Sequence, residues 1–213
     1  MPISDCYVIS DTHIYIWTVT ESIDELASLC HSAQLPCDAI NGIKALSRQS
    51  EKLVEMLLLN EIFQEKIQLS HFASGEPYIE GKMLNISVSH TTGIVAIAVN
   101  YERRRIGIDV EKENRCVLRV RDKFLGAAEK CFIEEKELRH NVIAWTAKEA
   151  LFKAIPESGI DFKENLYLSE FDASTSGRWS YKGVFEKKGI RKEFKIYSQN
   201  IGETILTLAI EEK

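Results

Sequence analysis

No apolar run in this chain is long enough to cross a bilayer. The longest, Met56–Leu59 and Ile94–Val99, fall far short of the ~20 residues a spanning helix takes. The opening Met1-Pro2-Ile3-Ser4-Asp5 has neither a basic stretch nor a long apolar core, so it does not read as a secretory signal. Cysteine is sparse: Cys6, Cys30, Cys37, Cys116 and Cys131 form no C-x-x-C pair. That argues against a zinc site and for free thiols in a reducing compartment, the cytoplasm. Positive charge is in deficit, with 27 Lys and Arg against 32 Asp and Glu, a net charge of −5 and a pI near 5.6. Nonspecific nucleic-acid binding is not expected from that balance. No internal repeat is visible at the residue level. What remains is an ordinary globular composition: 213 residues, 45% hydrophobic and 28% charged. That is enough for one large domain or two small ones.

Patterning along the chain alternates strands with helices. Tyr7–Val19 reads as one strand. Ser22 is placed to cap a helix over Ile23–Leu29, and Pro36 to Asn41 is a break. A helix is expected from Ile43 to Phe63, with Leu46, Leu53, Met56, Leu57 and Leu59 on its apolar side and Arg48 and Lys52 on or near its exposed face. Pro77 and Gly81 bracket a turn, and strands follow at Asn85–Ser89 and Ile94–Asn100. After an acidic strand come helices near Leu118–Leu125 and Glu134–Ala154, the latter ending before Pro156 and Gly159. Strands at Arg178–Phe185, Phe194–Gln199 and Thr204–Ile210 close the chain, with Lys187-Lys188-Gly189 as a hairpin turn.

The chemistry concentrates in two segments. In Gly107-Ile108-Asp109-Val110-Glu111 the apolar residues alternate with polar ones, so Asp109 and Glu111 share one strand face, roughly 7 Å apart. Carboxylates so placed suit a hard divalent cation such as Mg²⁺. Taken alone, the same pattern describes a polar strand face at a sheet edge. Some forty residues on, Trp145, Glu149 and Lys153 fall at i, i+4 and i+8 on one helix face, with Lys148 adjacent. An i, i+4 Glu–Lys pair is common on surfaces, but a Trp one turn earlier marks this face as partly buried. Upstream, Ser89-His90-Thr91 at the end of a strand offers hydroxyl and imidazole groups to phosphate or ribose oxygens. Arg103, Arg104 and Arg105 precede the acidic strand, and Arg115, Arg119, Arg121 and Lys123 follow it. They read either as solvated surface or as a basic patch for an acidic partner and for phosphates.

G-I-D-V-E followed by W-T-A-K-E-A-L-F-K resembles the paired signature of the 4′-phosphopantetheinyl transferases, of the larger single-chain, Sfp-like type. Both motifs stand in order at the family's separation, and Ser89-His90-Thr91 matches its S-H-(S/T) turn. One position departs: Gly75-Glu76-Pro77 replaces the usual G-K-P, putting an acid where a base would contact the coenzyme's phosphates. The resemblance runs through recognisable motifs from Gly75 to Lys153. It implies an α+β fold of two pseudo-symmetric halves, each a small, mostly antiparallel sheet with packed helices, divided at 1–104 and 105–213, with the active site in the cleft between them. It implies transfer of the phosphopantetheine arm of coenzyme A to a serine of an apo acyl, polyketide or peptidyl carrier protein, an acidic partner, with release of 3′,5′-ADP. Asp109, Glu111 and Glu149 are then the ligands of Mg²⁺, or of Mn²⁺. Glu149, Lys153 and Asp109 are the catalytic set. His90, Ser89, Thr91, Lys148, Lys153 and, more weakly, Arg48 are the coenzyme contacts. The single-chain pattern implies a monomer acting without nucleic acid or membrane.

Two alternatives use the same residues. One is an Mg²⁺-dependent nucleotide or pyrophosphate hydrolase, which needs no protein partner. The other is a non-catalytic coenzyme- or carrier-binding protein, supported by Glu76 alone.

Overall fold

The computed structural model describes residues 3–173 and 177–213; Met1 and Pro2, part of the segment read for a signal, lie outside the described residues. A hairpin of β1 (Asp5–Ile9) and β2 (Thr12–Thr18) leads into α1 (Ile23–Ser32), a 3₁₀ turn at Cys37–Ile40, and the long α2 (Leu46–Phe63). The short strands β3 (Leu69–His71) and β4 (Pro77–Ile79) precede β5 (Asn85–Thr91) and β6 (Ile94–Asn100). The chain continues through β7 (Ile106–Lys112), the short helices α3 (Arg121–Phe124) and α4 (Ala127–Lys130), and the long α5 (Leu138–Ala154). It ends with β8 (Leu166–Leu168), β9 (Arg178–Lys187), β10 (Ile190–Ile201) and β11 (Thr204–Glu211). One sheet runs β1-β2-β6-β5, a second β7-β11-β10-β9-β8, and β3 pairs with β4. Every pairing is antiparallel. The protein is thus of the expected mixed α+β class.

Alternation decides how the layers stack. On β6, Val95, Ile97 and Val99 join the core under α2, with Trp17, Leu53 and Leu57. The intervening Ile94, Ala96 and Ala98 meet Ile106, Ile108 and Val110 of β7 and Leu206, Leu208 and Ile210 of β11 in a core shared by the two sheets. Burial on both faces is why β6 reads as an unbroken apolar run. A third core packs α5 onto the second sheet through Val142, Ala147, Leu151, Phe185 and Ile196. Since the apolar face of β7 is committed to the first sheet, Gly107, Asp109 and Glu111 lie on the opposite face, toward α5. Gly107 is obligatory there, because a Cβ on it would lie 2.0 Å from the Ala150 carbonyl oxygen. The missing side chain lets the α5 backbone lie directly on β7.

The sheets also meet edge to edge. β5 and β7 are edge strands of different sheets. The Ile108 N–H donates to Ser87 Oγ at 3.0 Å and the Val110 N–H to Ser89 Oγ at 3.3 Å. Serine hydroxyls thus satisfy edge amides that would otherwise be buried without partners.

Several element expectations need correction. Tyr7–Val19 is a hairpin, turning at Ser10 (φ 43°) and Asp11 (φ 65°). Such a turn usually advertises itself with glycine, and this one does not. The Leu118–Leu125 helix is split into a 3₁₀ turn at Leu118–Val120 and α3, and α5 starts at Leu138 rather than near Glu134. Leu46 opens α2 but is 66% exposed instead of joining its apolar side. A full capping box of Ser22 and Glu25 starts helix α1 where expected, and the helix runs past the Leu29 boundary to Ser32.

Candidate active site

The acidic pair of β7 lies on an edge strand but is buried under α5 instead of facing water: Asp109 is 5% and Glu111 9% exposed. Lys153, in the last turn of α5, reaches down to it. Its Nζ donates to Asp109 Oδ1 at 2.9 Å, to Ser89 Oγ at 2.9 Å and to the Ile108 carbonyl at 3.0 Å. Ser89 Oγ in turn donates to Asp109 Oδ1 at 2.9 Å. Ser89 of β5 and Lys153 of α5 therefore converge on one oxygen of Asp109 in β7, where the two sheets join. The other oxygen, Asp109 Oδ2, is buried and has no hydrogen-bond partner among the described residues.

Glu111 is held differently. Arg115 forms an ion pair with it, and Trp145 Nε1 makes a long contact of 3.4 Å to its Oε1. The Arg115 guanidinium also lies over the Trp145 ring, 5.5 Å from the centroid. Burial raises the Glu111 carboxyl above its ordinary value, with Arg115 opposing the shift. Glu149 is pushed further, to about 7, first by burial and then by the negative charge of Asp109. A carboxylate that ionises with difficulty beside two others is a group short of positive charge.

That donor chemistry fits a hard divalent cation: oxygen ligands only, one buried carboxylate oxygen unpartnered, and mutual repulsion that a cation would relieve. The cage is not preformed. Among the described residues, no three His, Cys, Asp or Glu side chains stand together as a ready metal site. The reason is visible in the pairing, since Asp109 and Glu111 are each turned to a cationic side chain, Lys153 and Arg115.

The remaining predicted contacts separate. His90 follows Ser89 on β5 and so faces the other way. It meets Arg48 of α2: Arg48 Nη1 lies 3.0 Å from His90 Nδ1 and 3.0 Å from Glu51 Oε2. Arg48 and His90 thus form one exposed cationic and imidazole group, while Ser89 is buried and committed to Asp109, Lys153 and Val110. Ser89 and His90, both expected as coenzyme contacts, thus lie on opposite faces of β5. Thr91 closes β5 opposite Ile94.

Lys148 is a second correction. Its side chain is fully buried, and its Nζ donates to Glu129 Oε2 at 2.7 Å and to the carbonyls of Phe124, Phe162 and Leu166 at 2.6, 2.9 and 2.8 Å. All its donors are used, so none reaches a phosphate; the residue ties α4 and the approach to β8 to α5. Periodicity could not separate it from Lys153, because it stands just off the functional face. The basic patch is also largely spent. Arg104 donates to the Glu211 carbonyl, Arg105 pairs with Glu76, and Arg121 bonds Asn141 and the Ile133 carbonyl. Arg103, Arg119 and Lys123 stay exposed.

A cavity of about 250 Å³ opens beside Lys153, between the 71–77 segment and Val88 on one side and Phe152, Ile155 and Glu157 at the end of α5 on the other. A larger one of about 570 Å³, around Glu134, His140 and Phe171, shares no residue with it, and four carboxylates against a single arginine in its lining make it unsuited to phosphate.

Fold and site together define a mixed α+β protein with a carboxylate–lysine centre at the junction of two antiparallel sheets. Residues 105–209 match the family model of the 4′-phosphopantetheinyl transferase superfamily. That segment, just under half of the chain, contains both the acidic-strand and α5 motifs and is similar to this superfamily. None of the curated proteins compared matches the chain. No helix among the described residues is long and apolar enough to cross a membrane.

Proposed function

We propose that this chain is a 4′-phosphopantetheinyl transferase of the larger single-chain, Sfp-like type. It would move the phosphopantetheine arm of coenzyme A onto a serine of an apo carrier protein and release 3′,5′-ADP. The observation that carries the reading is the convergence of Lys153, Asp109 and Ser89 on one point beneath α5, with Glu149 on the same helix raised to about 7. A boundary at 104/105 belongs to the reading: β6 ends at Asn100 and β7 begins the second sheet at Ile106.

Asp109, Glu111 and Glu149 would hold Mg²⁺ or Mn²⁺, which when bound neutralises charge on the coenzyme's pyrophosphate. The protein's own groups do the rest. Glu149 takes the proton of the carrier's serine as its oxygen attacks phosphorus. Lys153 neutralises the departing phosphate of 3′,5′-ADP. Arg48 and His90 are both paired with Glu51, and a phosphate would have to displace that carboxylate to use them. Exposed Arg119 and Lys123 suit an acidic carrier. The protein works as a cytoplasmic monomer, a reading supported by the free thiols and by a site assembled within one chain.

Intact mass of an apo acyl carrier protein, after incubation with this protein, coenzyme A and Mg²⁺, tests the reading. A gain of one phosphopantetheine arm that EDTA abolishes supports it. Release of 3′,5′-ADP without any carrier would point instead to a hydrolase.

A further inference from the structure

Glu76, just before β4, and Arg105, just before β7, form an ion pair that ties the β3–β4 ribbon to the start of the second sheet. The carboxylate of Glu76 belongs to the wall of the 250 Å³ cavity beside Lys153. It also belongs, with Arg105, to a second cavity of about 560 Å³ floored by the stacked rings of Phe72 and Tyr78, 4.3 Å apart. The pair is therefore a partition. It places an acid opposite the lysine that receives phosphate, with a guanidinium directly behind it.

A phosphate-bearing donor entering the cavity beside Lys153 shares it with Glu76, whose partner Arg105 lines the second cavity. The pair is accessible, with the side chains of Arg105 and Glu76 35% and 22% exposed, and pairs of this exposure are held weakly. A guanidinium binds phosphate with the same two-pronged geometry it uses for carboxylate, and phosphate brings more charge. We propose that Arg105 is a specificity-determining residue for the donor's phosphates, with Glu76 its exchangeable counter-ion. On donor binding the guanidinium leaves the carboxylate for a phosphate oxygen, and Glu76 sets how readily it does so. The inference rests on the proposed transferase reading. It accounts for an acid at a position where a base would serve that reading better, because the missing cation is supplied from β7.

The pair makes a prediction of opposite signs. Calorimetric titration of coenzyme A in Mg²⁺ buffer compares the unaltered protein, Arg105→Gln and Glu76→Gln, with circular dichroism checking that each folds. Arg105→Gln should bind about tenfold more weakly, because the cation is gone and an unpaired carboxylate faces the phosphate. Glu76→Gln should bind about threefold more tightly, because the guanidinium is released to the ligand. A purely structural pair would weaken binding in both variants, and that result, or no shift in either, overturns the proposal. If the unaltered protein itself fails to bind coenzyme A, the transferase reading falls and takes this inference with it.

Discussion

Lys153 Nζ sits 2.9 Å from Asp109 Oδ1 and 2.9 Å from Ser89 Oγ, so the last turn of α5 is pinned to β7 and β5 by one ammonium group. That contact joins the two sheets at the point where the chemistry is proposed. The lysine holds Asp109's charge at rest, and under the proposed function it has a second task, meeting a phosphate in turnover.

Lys153→Ala should reveal both tasks. The buried Asp109 loses its counter-charge, which destabilises the protein by about 1–2 kcal/mol, less than for a wholly enclosed pair because Lys153 is partly exposed. Carrier modification should fall about a hundredfold or more, in kcat rather than KM, since the leaving phosphate loses its neutralising charge. Urea unfolding and steady-state transfer rates measure the two. Unchanged kcat would remove Lys153 from the mechanism.

Glu149 supplies a pH dependence whose direction is fixed. Its carboxyl is raised to about 7 from an ordinary 4.5. Below pH 4.5 it is protonated in both folded and unfolded chains. Between 4.5 and 7 the unfolded chain releases the proton while the folded one keeps it, so stability is lost across this window as pH rises. In metal-free protein, Glu149→Gln should match the parent near pH 4 and melt on the order of 5 °C higher at pH 8. Mg²⁺ should narrow that gap at pH 8 by stabilising the parent alone. A gap independent of pH and Mg²⁺ would contradict both the shift and the ligand assignment.

Gly107→Ala should damage the site without touching a charged group. The added methyl would lie 2.0 Å from the Ala150 carbonyl and 2.8 Å from the Ala154 nitrogen, both backbone atoms of α5. The helix must lift from β7, at a cost of about 1–3 kcal/mol. Because Glu149 and Lys153 ride on that helix, transfer should drop together with the melting temperature. A variant that melts lower but transfers at the parental rate would show that the α5–β7 spacing is not critical.

Much of this centre was legible in the sequence, and the reasons are physical. Asp109 and Glu111 declared a shared strand face by alternation, and Trp145, Glu149 and Lys153 a shared helix face by their i, i+4 spacing. Long periodic elements such as α2 and α5 were found to within a few residues for the same reason. What failed was information that only tertiary packing holds. The Ser10-Asp11 turn uses positive φ without glycine, so nothing marked it. Ser89 and His90, adjacent in sequence, were expected to act together, but a strand sends neighbours to opposite faces. The pairings of Glu76 with Arg105 and of Glu111 with Arg115 left no local trace beyond a general excess of arginine around β7.

Lys148 is the sharpest case, because its place in the W-T-A-K-E-A-L-F-K motif suggests phosphate contact and its surroundings argue against it. Burial depresses the pull of its ammonium for a proton, opposed mainly by the Glu129 charge. Four acceptors satisfy it, three of them backbone carbonyls that a shorter or uncharged side chain would abandon. Lys148→Met leaves the Glu129 carboxylate buried, with its remaining donors the Gly126 and Leu168 amides, and should cost about 3–5 kcal/mol. Lys148→Met combined with Glu129→Gln removes both charges and should recover part of that loss. In the double variant the KM for coenzyme A should stay within about threefold of the parent, since no phosphate contact has been lost. A stable double variant whose KM rises tenfold or more would return Lys148 to the coenzyme site.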